Sequence, residues 1–263
     1  MTAAQRLLAA WDGEPSVVAG CVVLAGAYAI WARGRGVRSM YFFGGVLLLM
    51  LALVSPLDAL GDEYLFSAHV VQHFLLGLVV PPMLVLGMPA EAIEKMLRNP
   101  AAAAVERRLA RPALAWTLGT GVMIFWHVPA LFNRALANEG LHVTQHLSFL
   151  ALGTIFWWPV LHPLKPRRLA AAYAVPYLFG ACVCCSLLGA WLAFSPLEAY
   201  PAYLHPADSL GVLGLLRDHW GLTARSDREL GGMLMWVPGC FVYLTAILTT
   251  VARWFGAERE IYR

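Results

Sequence analysis

Charge is scarce in this 263-residue chain. Asp, Glu, Lys and Arg make up 13% of it, against about a quarter in an ordinary soluble domain, while hydrophobic residues reach 60% and mean hydropathy is +0.64. A water-exposed globule cannot be built from so little polar surface. Net charge is only +3, and the positive residues fall between apolar runs, so no nucleic-acid partner is implied. Cysteine is equally uninformative as a framework. Cys21, Cys182, Cys184, Cys185 and Cys240 are odd in number, lie inside apolar runs and lack zinc-ribbon spacing. The start, Met1 to Pro15, carries Arg6, Asp12 and Glu14 and lacks the basic, apolar and small-residue regions of a removable signal peptide. Strand-like in/out alternation is missing too, which excludes a membrane barrel.

What remains is a series of apolar runs near bilayer-spanning length. They predict an all-α integral membrane protein with seven transmembrane helices, at about Ser16–Ala32, Met40–Ala59, Tyr64–Met88, Leu114–Phe132, Leu141–Leu161, Ala171–Phe194 and Leu230–Phe255. Loop charge orients them. Fourteen of the nineteen Lys and Arg residues follow spans one, three, five and seven, which predicts an outside N-terminus and a cytoplasmic C-terminus. The chain reads as a single transmembrane domain, 1–263. A cytoplasmic loop, 90–113, carries Glu91, Glu94, Lys95 and Arg98 at helical spacing and is expected to lie on the membrane surface. A long outer loop, 195–229, has the size of a functional or mobile element.

Against this apolar background two motifs repeat: His69-Val-Val-Gln-His73 and His142-Val-Thr-Gln-His146, each opening an apolar run. Residues four apart share one helical face, so each pair can address one object. The predicted topology gathers seven of the eight histidines in the outer half, with His127 of Trp126-His127-Val-Pro129 beside the pairs and only His162 on the cytoplasmic side. A lone interfacial histidine reads as a cap or a carbonyl partner. The paired set plus His127 reads as a metal-ligand cluster, because ionisable groups rarely gather inside membrane segments without a task.

Met233, Met235 and Met123 are nearby soft donors, though core filling is the plainer account of each. Any contribution from them would favour copper over zinc or magnesium. Cys182 and Cys185 share a face of span six, as a soft-metal relay or, more simply, as small packing residues. Pro81-Pro82 predicts a kink in span three. Trp157, Trp158 and Trp236 read as interface anchors or core packing.

The chain resembles the seven-span CtaG family of cytochrome c oxidase assembly factors, not the unrelated single-span copper chaperone of the same name. The likeness rests on Phe66-Ser-Ala-His69-Val-Val-Gln-His73 with Pro81-Pro82 and Leu86-Gly87-Met88-Pro89. It continues with Trp126-His127-Val-Pro129 and His142-Val-Thr-Gln-His146, then Phe156-Trp157-Trp158-Pro159, Leu187-Leu188-Gly189-Ala190 and Gly231-Gly232-Met233-Leu234-Met235-Trp236-Val237-Pro238-Gly239. One departure lies at Asp227-Arg228-Glu229, where the family shows an acidic residue followed by Gln. The resemblance implies a non-enzymatic metallochaperone of the bacterial plasma membrane. Its partners would be the catalytic subunit of a haem-copper oxidase and a copper donor outside the membrane. It also implies His69, His73, His127, His142 and His146 as ligands of copper, held as Cu(I).

Two rivals are expected to differ in their metal. An intramembrane zinc hydrolase would suit a three-histidine site with an open position, but no Asp or Glu lies within either histidine motif to act as base, and Gln72 and Gln145 cannot. A bis-His haem electron carrier would be coloured.

Overall fold

The computed structural model describes residues 1–31 and 36–261, and among them every regular element is helical. A short helix α1 (Ala3–Leu8) precedes α2 (Pro15–Trp31) and α3 (Val37–Val54). A helical turn (Pro56–Ala59) and a π turn (Leu60–Tyr64) then lead into α4 (Phe66–Gly87), followed by α5 (Ala90–Leu97), α6 (Pro100–Leu109), α7 (Pro112–His127) and α8 (Pro129–Leu136). The long helices α9 (Glu139–Leu161), α10 (Ala171–Phe194) and α11 (Ala224–Ile261) complete the chain. The boundary expected at Ala32, and Arg33, Arg35 and Arg263 of the loop charges, lie outside the described residues.

Among the described residues, four helices are long and apolar enough to cross a membrane: α3, α4, α10 and the part of α11 from Ala224 to Gly256. A fifth arises if α7 and α8, bent by 74° at their junction, form one span. Helix α2 is apolar but shorter. Helix α9 has the length, 23 residues, and spends part of it on His142, Gln145 and His146. Helices therefore occur at each of the seven expected places, and four or five qualify as spans by length and hydropathy.

Helix α4 is the most buried of the four, and its sequence explains its shape. Pro81 has no N–H to give the carbonyl of Gly77, so the ladder loosens there. Leu75–Val79 forms a π turn, closed by Val80 N–H on Leu75 O. The freed Gly77 carbonyl faces Gly153 of α9, where an added Cβ would sit 2.5 Å from that oxygen. The kink expected at Pro81-Pro82 is thus a widened turn that lets α4 and α9 approach closely. Since both carry histidine pairs, this contact also sets how near the pairs come.

Two other points position the site. Pro129 forces Val128 into an extended conformation (ψ 123°), which ends α7 with His127 as its last residue. The expected outer loop ends earlier than residue 229: residues 195–223 fold as short turns, at Leu197–Ala199, Pro201–Tyr203 and Leu215–His219, and α11 begins at Ala224. Their Tyr200 and Tyr203 are buried against Phe66 and Phe132, so the segment is a packed cover. Arg6 of α1 ties it down by donating to Leu210 O and Gly211 O. At the opposite end of the bundle, Glu106 of α6 accepts from Arg167 (2.7 Å) and lies 3.2 Å from His162 Nε2.

Candidate metal centre

The two motifs meet face to face. Ring centroids are 4.4 Å apart for His69 and His73 on α4, and 4.2 Å for His142 and His146 on α9. Across the helices His69 stacks on His142 at 5.2 Å, and His73 lies 5.7 Å from His146. Two overlapping ligand groups result, each with ligand atoms within 4.8 Å of one another: His69, His73 and His146, and Asp62, His69 and His142. His205 and His219 are exposed elsewhere in the covering segment and take no part in either group.

Proton placement follows from the hydrogen bonds. His127 Nδ1 is 2.6 Å from Met123 O and must donate to it, leaving Nε2 as an acceptor. That Nε2 receives the Nδ1–H of His73 at 3.3 Å. His69 Nδ1 lies 3.2 Å from Gly61 O and donates there. Both α4 histidines therefore present Nε2 as a lone pair. The Nε2 atoms of His69, His73, His142 and His146, with Asp62 Oδ1, are buried and have no hydrogen-bond partner. An orphaned buried polar atom costs about 1–3 kcal/mol, so five together are hard to explain as packing. Imidazole nitrogens with one carboxylate oxygen form a donor set that suits copper or zinc. The residues fit a metal ion.

His127 stands apart from the other expected ligands. With both ring nitrogens engaged it holds His73 in one tautomer, as an outer partner would do for a histidine that binds metal. Asp62 is the acidic residue the motifs did not reveal. Its Oδ1 lies 3.6 Å from His142 Nε2 and 3.8 Å from His69 Nδ1. Burial, then the neighbouring Asp58 and Asp12 carboxylates, push its carboxyl up to about 7. No carboxylate lies within the histidine motifs, yet the π turn before α4 supplies one beside them. The Asp58-x-x-x-Asp62 spacing just ahead of the first motif was its only trace in the sequence. Gln72 serves that turn, donating to Asp58 Oδ1 (2.8 Å) and Ala52 O (2.9 Å).

Aromatic side chains wall the cluster, with Phe132 4.9 Å from His69 and Phe149 4.5 Å from His73. The cover closes it through two phenols. Tyr203 donates to Gly61 O (2.8 Å) and Tyr200 to His127 O (2.7 Å).

The corner at Asp227-Arg228 has a definite task. Leu65 stands at the N-cap of α4 and offers no side-chain acceptor. Asp227, fully buried, accepts instead from Phe66 N–H (2.8 Å), Ser67 N–H (3.1 Å) and the Ser67 hydroxyl (2.5 Å). It satisfies donors that every helix start leaves open and places negative charge at the positive end of the dipole. The next residue, Arg228, does the converse for α10, donating to Ser195 O and Ala193 O at its C-terminus.

Comparison with known proteins gives this arrangement a context. The model of the cytochrome c oxidase caa3 assembly factor family (Caa3_CtaG) matches residues 22–257. The chain belongs to this family. Uncharacterised proteins of Mycobacterium bovis and Mycobacterium tuberculosis are each 23% identical to it over 97% of the chain and 41% of their own length. One from Mycobacterium leprae is 24% identical over 93% of the chain and 38% of its length. The chain thus spans about two fifths of these relatives. No solved structure matches it.

The remaining residues of interest in this family member pack rather than converge on the cluster. Met235 is fully buried in the core, Met233 is 54% exposed, and Met123 contributes its carbonyl to His127 while its side chain fills space against Gly77. Cys182 and Cys240 lie 3.6 Å apart at the α10–α11 contact, and Cys185 donates to Met235 O. Trp157 is core, whereas Trp158 donates to Glu106.

Proposed function

We propose that this assembly factor holds copper, as Cu(I), at the histidine cluster and delivers it to the catalytic subunit of a haem-copper oxidase. The observation that carries the reading is the convergence of four unpartnered Nε2 atoms and one carboxylate oxygen in a chain of an oxidase-assembly family. His69, His73, His142 and His146 would hold the ion, with Asp62 beside it and His127 orienting His73. A thiolate-free site suits exchange, because imidazole binds Cu(I) less tenaciously than sulfur ligands do. The chain would work as one seven-span domain in the bacterial plasma membrane, its N-terminus and histidine end outside and its C-terminus cytoplasmic. The charge asymmetry of its loops supports that orientation. Copper would come from a donor on the outer side.

Asp62 favours one rival, since a carboxylate beside three histidines also suits a zinc hydrolase. Elemental analysis of the detergent-purified protein, beside its visible spectrum, separates the readings. Copper is expected. Zinc would turn the assignment to the hydrolase, a Soret band to the haem carrier, and absence of any metal from copper-replete, reduced protein would overturn the copper reading.

A separate expectation concerns His127. Its replacement by Ala should leave the number of metal ions per chain unchanged and weaken affinity about 10- to 100-fold, the usual cost of losing an outer-shell partner. A competition titration with a chromogenic Cu(I) chelator would measure this. Loss of the ion altogether would instead make His127 a ligand.

A further inference from the structure

The cluster is closed above by Tyr200 and Tyr203, yet it has an opening at its flank. Helix α2 packs mainly on α3 and only loosely on α9. Between them runs a cleft of about 480 Å³ that ends on His142 and His146. Its charged lining is of one sign. Asp12, Glu14 and Glu139 stand at the rim, near the starts of α2 and α9, and Asp58 and Asp62 lie deeper. Among the described residues no Lys or Arg lines it. At its inner end the buried Nε2 atoms of His142 and His146, and Asp62 Oδ1, lack hydrogen-bond partners. The carboxylates are thus graded toward unsatisfied donors rather than scattered over a solvated surface.

We infer that this cleft is the loading path by which an aquated metal cation reaches the histidines from the histidine end of the bundle. The inference rests on the cluster being a metal site. Size permits it: a cation with six waters, at about 30 Å³ each, fits with room to spare. Charge favours it, because a low-dielectric cleft lined by one sign focuses the field and raises the arrival rate of the opposite sign by about 10- to 1,000-fold. Chemistry orders it, since oxygen ligands at the rim exchange readily with water while imidazole nitrogens hold copper or zinc more firmly. The rim carboxylates act on the rate of loading, and the cluster sets the affinity.

The test is stopped-flow mixing of the purified protein with Cu(II) chloride, followed by quenching of tryptophan fluorescence. It compares wild type, Asp12→Asn/Glu14→Gln/Glu139→Gln and, as a charge control away from the cleft, Glu198→Gln. At low ionic strength the triple variant is expected to load at least about 10-fold more slowly. Salt should slow the wild type and leave the triple variant nearly unaffected. Both should reach the same final copper per chain, which also verifies folding, and Glu198→Gln should match wild type. Glu139→Lys alone should slow loading further still than neutralisation of that residue. A triple variant that loads at the wild-type rate, with the wild-type salt dependence, overturns the path. If that happens while uptake still requires His73 and His146, the metal site stands and only the path falls. If wild type takes up neither Cu(II) nor, with ascorbate present, Cu(I), the site falls and the path with it.

Discussion

The His73→Ala/His146→Ala variant is expected to purify with less than about a tenth of the copper carried by wild type, since removing two of the proposed ligands should exceed the ~10- to 100-fold penalty of losing a residue that only orients one. These residues supply two of the three members of the all-histidine group, one from each helix. Without them His69 and His142 remain, stacked at 5.2 Å beside Asp62. The fold itself should survive. Each deletion removes packing but also removes an orphaned buried nitrogen, whose desolvation costs about 1–3 kcal/mol, so the two effects oppose one another. Metal-free wild type and variant should therefore unfold within a few degrees of each other, while adding copper should raise the transition of wild type alone. Wild-type copper content in the double variant would remove the cluster from consideration as the site.

Asp227→Ala is expected to be the most damaging single substitution away from the cluster. It strands two backbone N–H groups and a hydroxyl at the buried start of α4. At about 1–3 kcal/mol for each unsatisfied group, partly relieved by water entry, the cost is about 3 kcal/mol or more. The first turn of α4 leads directly to His69, so copper occupancy should fall together with stability. Asp227→Asn keeps one oxygen acceptor and should lie between alanine and wild type. Thermal unfolding in detergent, with copper analysis of the same samples, checks both. An unchanged transition in the alanine variant would mean that the α4 start finds other partners.

What could be read from the sequence was whatever is local. The His-x-x-x-His spacing carries its own geometry, and long apolar runs announce helices, so the pairing of His69 with His73 and of His142 with His146 was legible along with the all-helical fold. The number of spans was less so. Helix α9 is long but carries His142, Gln145 and His146 within the hydrophobic length, and α7–α8 is broken at Val128 by Pro129. Three features were hidden because they depend on distant contacts. Asp62 reaches the histidines only through a π turn, His127 is committed by the particular carbonyl its ring meets, and Asp227 acts on residues 160 and 161 positions earlier. A family departure at residues 227–229 pointed to that corner without indicating its use.

The long separation between Phe66 and Asp227 also bears on how the protein is made. Residues of α4 leave the ribosome well before the carboxylate that secures them, and both histidine pairs precede it. Throughout that interval the start of α4 must take its hydrogen bonds from water or from the membrane surface. Helix α11, made after both histidine pairs, is the one that secures the start of α4. A nascent chain stalled before Thr223 would display all four histidines while the start of α4 still lacked its cap, so the ordering of the cluster is completed only when α11 docks.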